Sequence, residues 1–215
     1  VPGGGEDEVK TQAQVSDMLK TIEAGREAAC LKFARDLDGW TKDTVVVSPQ
    51  EVAAAIATLD EQTKSDVQFQ HANVRAFALE QVKSLHDFEC ELLPGVITGQ
   101  KIVPVGCAGC YVPGGRFSHV SSAIMTVATA KASGVSTVVA CSPALGDTGM
   151  IHPATLYAMH LAGADHILCI GGVQGIAAMA YGLFTGVEAD VIVGPGNKVS
   201  QPTRGACGGR LRCDA

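Results

Sequence analysis

The chain is poor in several things, and each shortage excludes a class of protein. No stretch of its 215 residues approaches the roughly 20 uninterrupted apolar residues of a membrane span, and its longest apolar runs are short and broken by glycine. It has no Lys/Arg run, and its 16 basic against 22 acidic residues leave a formal net charge of −6. Phosphate backbones and anionic bilayers are held by clustered cations, so neither nucleic acid nor a membrane surface is expected as a partner. Aromatic residues make up only 5% and charged residues only 18% of the chain, while Ala, Val and Gly are abundant. That balance predicts a well-buried core with close helix-on-sheet contacts, of a size for one large α/β domain or a domain with a smaller helical partner. The opening "VPGGGEDEVK" is acidic and has no apolar segment, so no secretory signal is expected and a cytoplasmic location is. The chain does not begin with Met, which suggests a processed, partial or trimmed form.

Eight cysteines are present. Cys30, Cys90, Cys141 and Cys169 stand singly in apolar or helical contexts and read as small buried hydrophobes. Cys107 and Cys110 form the only C-x-x-C, "CAGC", a spacing that suits a redox pair or half a zinc site. Its second half is lacking, because Cys207 and Cys213 are differently spaced in an unusual tail. A redox or metal module on "CAGC" is therefore kept only as a third function class, and a reduced compartment is the expectation.

Three helices are predicted first. Val15, Met18, Leu19, Ile22, Ala29 and Phe33 follow helical spacing across about residues 8–38, as one or two amphipathic helices. "SPQE" opens the next, with Ser48 as cap, Pro49 in the first turn and Glu51 closing a capping box. A third runs from about Ser65 to Phe88 and is expected to bury Val67, Val74, Phe77 and Ala78. Pro94-Gly95 ends this region, and "GVITGQKIVPVG" alternates like a hairpin turning near Thr98-Gly99.

From residue 119 a single pattern repeats: helix, glycine, then an apolar strand of five or six residues. Three such units predict βαβ crossovers, a parallel sheet and helices on both of its faces. Ligands of such sheets gather beyond the carboxyl ends of the strands. "YVPGGR", "GGVQG" and "GPGN" all fall there, carrying the neutral hydrogen-bonding residues Tyr111, Gln174 and Asn197. With a helix N-terminus after Gly172 they suit a nucleotide's ribose hydroxyls and pyrophosphate. The usual dinucleotide fingerprint is absent, since "GPGNKV" lacks the third glycine and no acidic ribose ligand follows. The residues alone reach a nucleotide or similar polyhydroxylated ligand.

"YVPGG", "GGVQGIAAMAYG" and "VGPGNK", in that order and spacing, resemble the histidinol dehydrogenase family, as do "DGW…VSPQEV" and "LLPGVITGQKIVPV". The resemblance covers about residues 10–199. It implies an α/β fold in which a helical N-terminal region (1–92) precedes a Rossmann-like NAD-binding domain (93–199) with helices on both faces, followed here by an atypical tail (200–215). It also implies NAD-dependent, zinc-containing homodimers that oxidise a primary alcohol to a carboxylate in two hydride transfers. Tyr111, Gln174 and Asn197 match the family's NAD contacts. After Lys198 no counterpart of the family's acid/base pair or zinc ligands is read, so no catalytic or metal-ligating residue is assigned and the chain resembles a C-terminally truncated, inactive form. His152, His160 and His166 are not promoted to fill that gap. Arg116 and His119 are expected to face the substrate, and an arginine suits an anion better than the cationic histidinol. "GGRFSH" with "GGVQGIAAMAYGLFTG" is most similar to sulfopropanediol dehydrogenases, which implies 2,3-dihydroxypropane-1-sulfonate as substrate and otherwise L-histidinol. A non-catalytic nucleotide-binding remnant or regulatory module is the alternative.

Overall fold

The structure, a computed structural model, describes residues 5–114 and 118–195, with the side chains of residues 5–8 and 147 left out. Helix α1 (Gly5–Asp38) kinks at Arg26, whose φ of 51° is non-helical, so the opening consists of two helical segments in one element. Helix α2 (Pro49–Ala57) begins at the expected capping box: Ser48 Oγ accepts the Glu51 N–H at 3.2 Å, and Glu51 Oε2 accepts the Ser48 N–H at 2.9 Å. Reciprocal caps of this kind satisfy two amide groups that the first turn would otherwise leave bare. Helix α3 (Glu61–Lys83) starts instead at Asp60, whose carboxylate accepts the Thr63 N–H at 2.7 Å.

Four expectations fail here. Helix α3 ends at Lys83, and residues to Phe88 and beyond leave it for strand β1 (Phe88–Leu93), which pairs antiparallel with β2 (Val96–Gln100). The hairpin turns at Pro94-Gly95, because proline presets one turn position and glycine fits the next; Thr98 and Gly99 lie inside β2, opposite Cys90 and Glu89. Phe77, expected in the core, is 66% exposed, and Cys90 is exposed on the hairpin rather than buried.

Strands β3 (Cys107–Tyr111), β4 (Thr137–Ser142), β5 (His166–Cys169) and β6 (Val191–Val193) form the parallel sheet, in the order β5-β4-β3-β6. Helices α4 (Val120–Ala132), α5 (Pro153–Ala162) and α6 (Gly172–Ala180) connect them. Residues alternate between the two faces of a strand, and β3 is covered on both. Gly109 looks toward Met179 of α6, whereas the Cys110 thiol bonds Thr126 of α4. The sheet is thus sandwiched by helices on both faces, as the repeat predicts. Helix α1 packs outside α6, and α2 and α3 pack against α5.

The exposed side of β5 is closed by residues 45–47: Val47 N–H donates to the Ile167 carbonyl at 2.9 Å and Cys169 N–H to the Val45 carbonyl at 2.7 Å. This antiparallel strip satisfies a sheet edge that would otherwise offer open pairing sites. The amino ends of the strands are held by carboxylates. Asp190 Oδ2 accepts the Gly106 and Cys107 N–H groups at 2.7 and 2.8 Å, and Asp165 Oδ2 accepts Val138 N–H at 2.7 Å and Lys131 Nζ at 2.6 Å.

Candidate nucleotide site at the carboxyl rim

The chain runs from β3 outward through β4 to β5, then crosses back to place β6 on the other side of β3. The direction of winding therefore reverses between β3 and β6, and in sheets of this kind ligands bind where the connections leave in opposite directions. Tyr111 ends β3 and Gly194 follows β6 at this point. The Gly194 backbone passes so close to the Tyr111 carbonyl oxygen that a side chain at Gly194 would collide with it. The connection after β6 is thereby pressed against the end of β3.

Tyr111 is 5% exposed, and its hydroxyl accepts the Gly172 N–H at 3.3 Å. Gly172 has φ +59°, a left-handed conformation that glycine adopts without strain, and a Cβ there would lie 3.0 Å from Gln174 Oε1. The phenol and the carboxamide therefore meet on either side of Gly172. The N-cap residue of α6, Gly171, has no side chain to cap the helix, and beyond the Gly172 N–H that Tyr111 accepts, its first turn presents backbone donors and the positive end of its dipole to the rim. Pro143, just after β4, packs against both Gly114 and Gly171, which gathers the β3-α4, β4-α5 and β5-α6 connections at one end of the sheet.

His119 stands at the N-cap of α4 and makes no side-chain cap; its backbone N–H donates to Thr155 Oγ1 at 3.2 Å. Arg116 and Asn197 lie outside the described residues. The structure thus brings together Tyr111 and Gln174, two of the three residues assigned to the cofactor. Sequence reading missed three others that shape this rim: Ser142, Thr155 and Asp38. Ser142, Thr155 and Gln174 are the buried polar side chains among the described residues, and a polar residue closing an apolar strand, as in "VVACSP", was the available signal for the first. Asp38 opens the "DGW" stretch quoted for the family resemblance, but it sits 136 residues from its partner Gln174, and no local spacing ties the two.

His152 and His160 have places in the helical framework. His152 Nδ1 accepts the Ala154 N–H at 3.2 Å and caps α5, while His160 lies in the last turn of that helix. The "CAGC" pair occupies β3, where residues three apart point to opposite faces, so Cys107 and Cys110 cannot close on one ion. Burial pushes the Cys107 thiol up to about 11 and the Cys110 thiol up to about 12. Both are protonated thiols, without the depressed pKa of a redox-active cysteine. Among the described residues no three His, Cys, Asp or Glu side chains gather as a metal-ligand set.

A doubly wound α/β unit with glycines at its switch point is a nucleotide-binding class of architecture. The sequence profile described as histidinol dehydrogenase matches residues 4–214, and the chain belongs to that family. The match runs through the tail that the sequence reading sets apart. The chain is 48% identical over 203 residues to the sulfopropanediol 3-dehydrogenase of Ruegeria pomeroyi, covering 94% of this chain and 46% of that protein. It is 39% identical over 183 residues to the histidinol dehydrogenase of Methanococcus maripaludis, covering 85% and 42%. The crystal structure of histidinol dehydrogenase from Elizabethkingia anophelis superimposes with a TM-score of 0.84 at 27% identity, over 95% of this chain and 47% of that one. The chain spans about half the length of the curated relatives it matches.

Proposed function

We propose that this chain carries the NAD-binding part, residues 93–199, of a dehydrogenase that oxidises a primary alcohol to a carboxylate. The observation that carries this reading is the meeting of the Tyr111 hydroxyl and the Gln174 carboxamide at Gly172, over the N-terminus of α6 and beside the β3/β6 switch point. Tyr111 and Gln174, with Asn197 following β6, would hold the dinucleotide, the Gln174 carboxamide lying against the side-chain-free face of Gly172. When bound, NAD supplies the hydride acceptor. The protein's own residues would position it: the aromatic ring of Tyr111 flanks it, and the α6 N-terminus favours its pyrophosphate.

The complete reaction consumes one alcohol, one water and two NAD⁺, and yields one carboxylate, two NADH and three protons. It needs a base for the alcohol proton, and no described residue is assigned that task. Arg116 and His119 face the substrate in this reading, which favours an anionic alcohol, 2,3-dihydroxypropane-1-sulfonate, over L-histidinol. The similarity to a sulfopropanediol dehydrogenase supports that order. The protein is read as cytoplasmic and, at full length, as a zinc-containing homodimer.

Calorimetric titration of NAD into the purified chain tests the reading. Saturable heat is expected, and no heat at millimolar NAD overturns it. A second reading is a nucleotide-binding module without catalysis. NAD binding without NADH production from either alcohol would select it.

A further inference from the structure

Gln174 is 2% exposed, yet its carboxamide is bonded away from the rim, toward the N-terminal helix. Its Nε2 donates to Asp38 Oδ2 at 2.8 Å. Asp38 is the last residue of α1. A second tie comes from the same helix: the Cys30 thiol donates to the Gln174 backbone carbonyl at 3.5 Å. Helix α1 therefore grips this one residue of α6 by both its main chain and its side chain.

The polarity of the Asp38 contact decides which way the amide faces. A carboxylate offers acceptors only, so it bonds the NH₂ group and turns Oε1 to the other side. The Gln174 carboxamide lies against the Cβ side of Gly172 with Oε1 foremost, at 3.0 Å from the position a Cβ would take, against 3.4 Å for Cδ and Nε2. No described residue donates to Oε1. Partial shelter from water pushes the Asp38 pKa up, and the bond from Gln174 draws it back toward the carboxylate form.

We infer that Asp38 is a positioning residue of the nucleotide site, holding Gln174 so that Oε1 is presented beside Gly172 to a hydrogen-bond donor of the dinucleotide, a ribose hydroxyl. Phosphate oxygens are acceptors and would be repelled there; their place is the amide-rich α6 N-terminus. The inference rests on the NAD reading above and names the atom through which it acts.

Three variants of the whole chain test it by NAD calorimetry, with thermal melting as a control for folding. Asp38→Asn keeps an acceptor for Gln174 but adds a donor, so the amide is free to turn over. Its melting temperature is expected to hold while the Kd for NAD rises by about threefold to tenfold, the range of one hydrogen bond. Asp38→Ala is expected to weaken NAD at least as much. Asp38→Glu, again acceptor-only, is expected to bind NAD better than Asp38→Asn, an order that a merely structural contact would not produce. An NAD analogue without ribose hydroxyls is expected to bind wild type and Asp38→Asn alike. Should any of these variants fold poorly, the side-chain amide resonances of Gln174 in the wild type give a second readout: slow proton exchange is expected for an amide held by Asp38, and fast exchange overturns the positioning role. Wild-type binding matched by Asp38→Asn, or Asn binding better than Glu, overturns the positioning role alone. No heat with the wild type overturns the NAD reading, and this inference with it.

Discussion

The Tyr111 hydroxyl accepts a hydrogen bond from the backbone N–H of Gly172 at 3.3 Å, joining the end of β3 to the first turn of α6 across 61 residues. This contact crosses from one strand connection to another, with β4 lying between β3 and β5 in the sheet. It satisfies one of the amides that a helix start leaves unpaired. Tyr111→Phe keeps the ring and removes the acceptor. We expect a loss of about 1 kcal/mol in urea unfolding and a several-fold weaker NAD titration.

Gly172→Ala tests the other side of the same contact. A left-handed φ costs an L-residue about 1–2 kcal/mol, and the new methyl group would stand 3.0 Å from Gln174 Oε1. The variant is expected to melt at lower temperature and to lose NAD binding by more than its stability loss accounts for. Unchanged affinity would place the ligand elsewhere on the rim.

Glu51 gives a pH test of the fold. Lys42 Nζ donates to Oε1 at 2.7 Å, and with the Ser48 N–H this holds the Glu51 carboxyl below its ordinary range. A group whose folded pKa is depressed adds stability above its unfolded pKa, about 4.3, and loses it as pH falls through the folded value. Glu51→Ala should therefore cost about 0.5–1 kcal/mol at neutral pH, within the range of a lost cap at a partly exposed site. The gap between variant and wild type in urea melts should close in acid.

The cysteines should separate cleanly by reactivity. Brief alkylation followed by peptide mapping is expected to label Cys90, which is exposed, and to spare Cys107 and Cys110 until denaturant is added. Rapid native labelling of Cys107 or Cys110 would contradict the high thiol pKa values that burial imposes.

Substrate choice is tested at Arg116. In a form of the enzyme that turns over, Arg116→Ala is expected to raise the KM for dihydroxypropanesulfonate about tenfold or more, as loss of a charge-assisted contact does, with a smaller effect on kcat. Efficient turnover of histidinol with none of the sulfonate would remove the sulfonate proposal and leave the family intact.

Local patterns carried much of this protein. The repeated helix, glycine and apolar strand announced a parallel sheet because each βαβ unit hides its strand on both faces and so reads as an apolar run. The Ser48 cap was legible because capping depends on residues three apart. The hairpin was misplaced because Pro-Gly marks both helix ends and tight turns, and only strand pairing tells the two apart. Phe77 follows the helical period of α3, but the face it occupies has no partner among the described elements.

By itself the sequence determined the order of elements, the absence of a membrane-length helix and the identity of the neutral residues at the strand ends, all of which are written in neighbours a few positions apart. Which of those residues meet was decided only by the tertiary structure. Winding reverses at β3, which carries Gly172 to the Tyr111 hydroxyl and Asp38 to the Gln174 amide across separations of 61 and 136 residues. Contacts that distant arise from how the sheet and helices pack, and no local spacing records them.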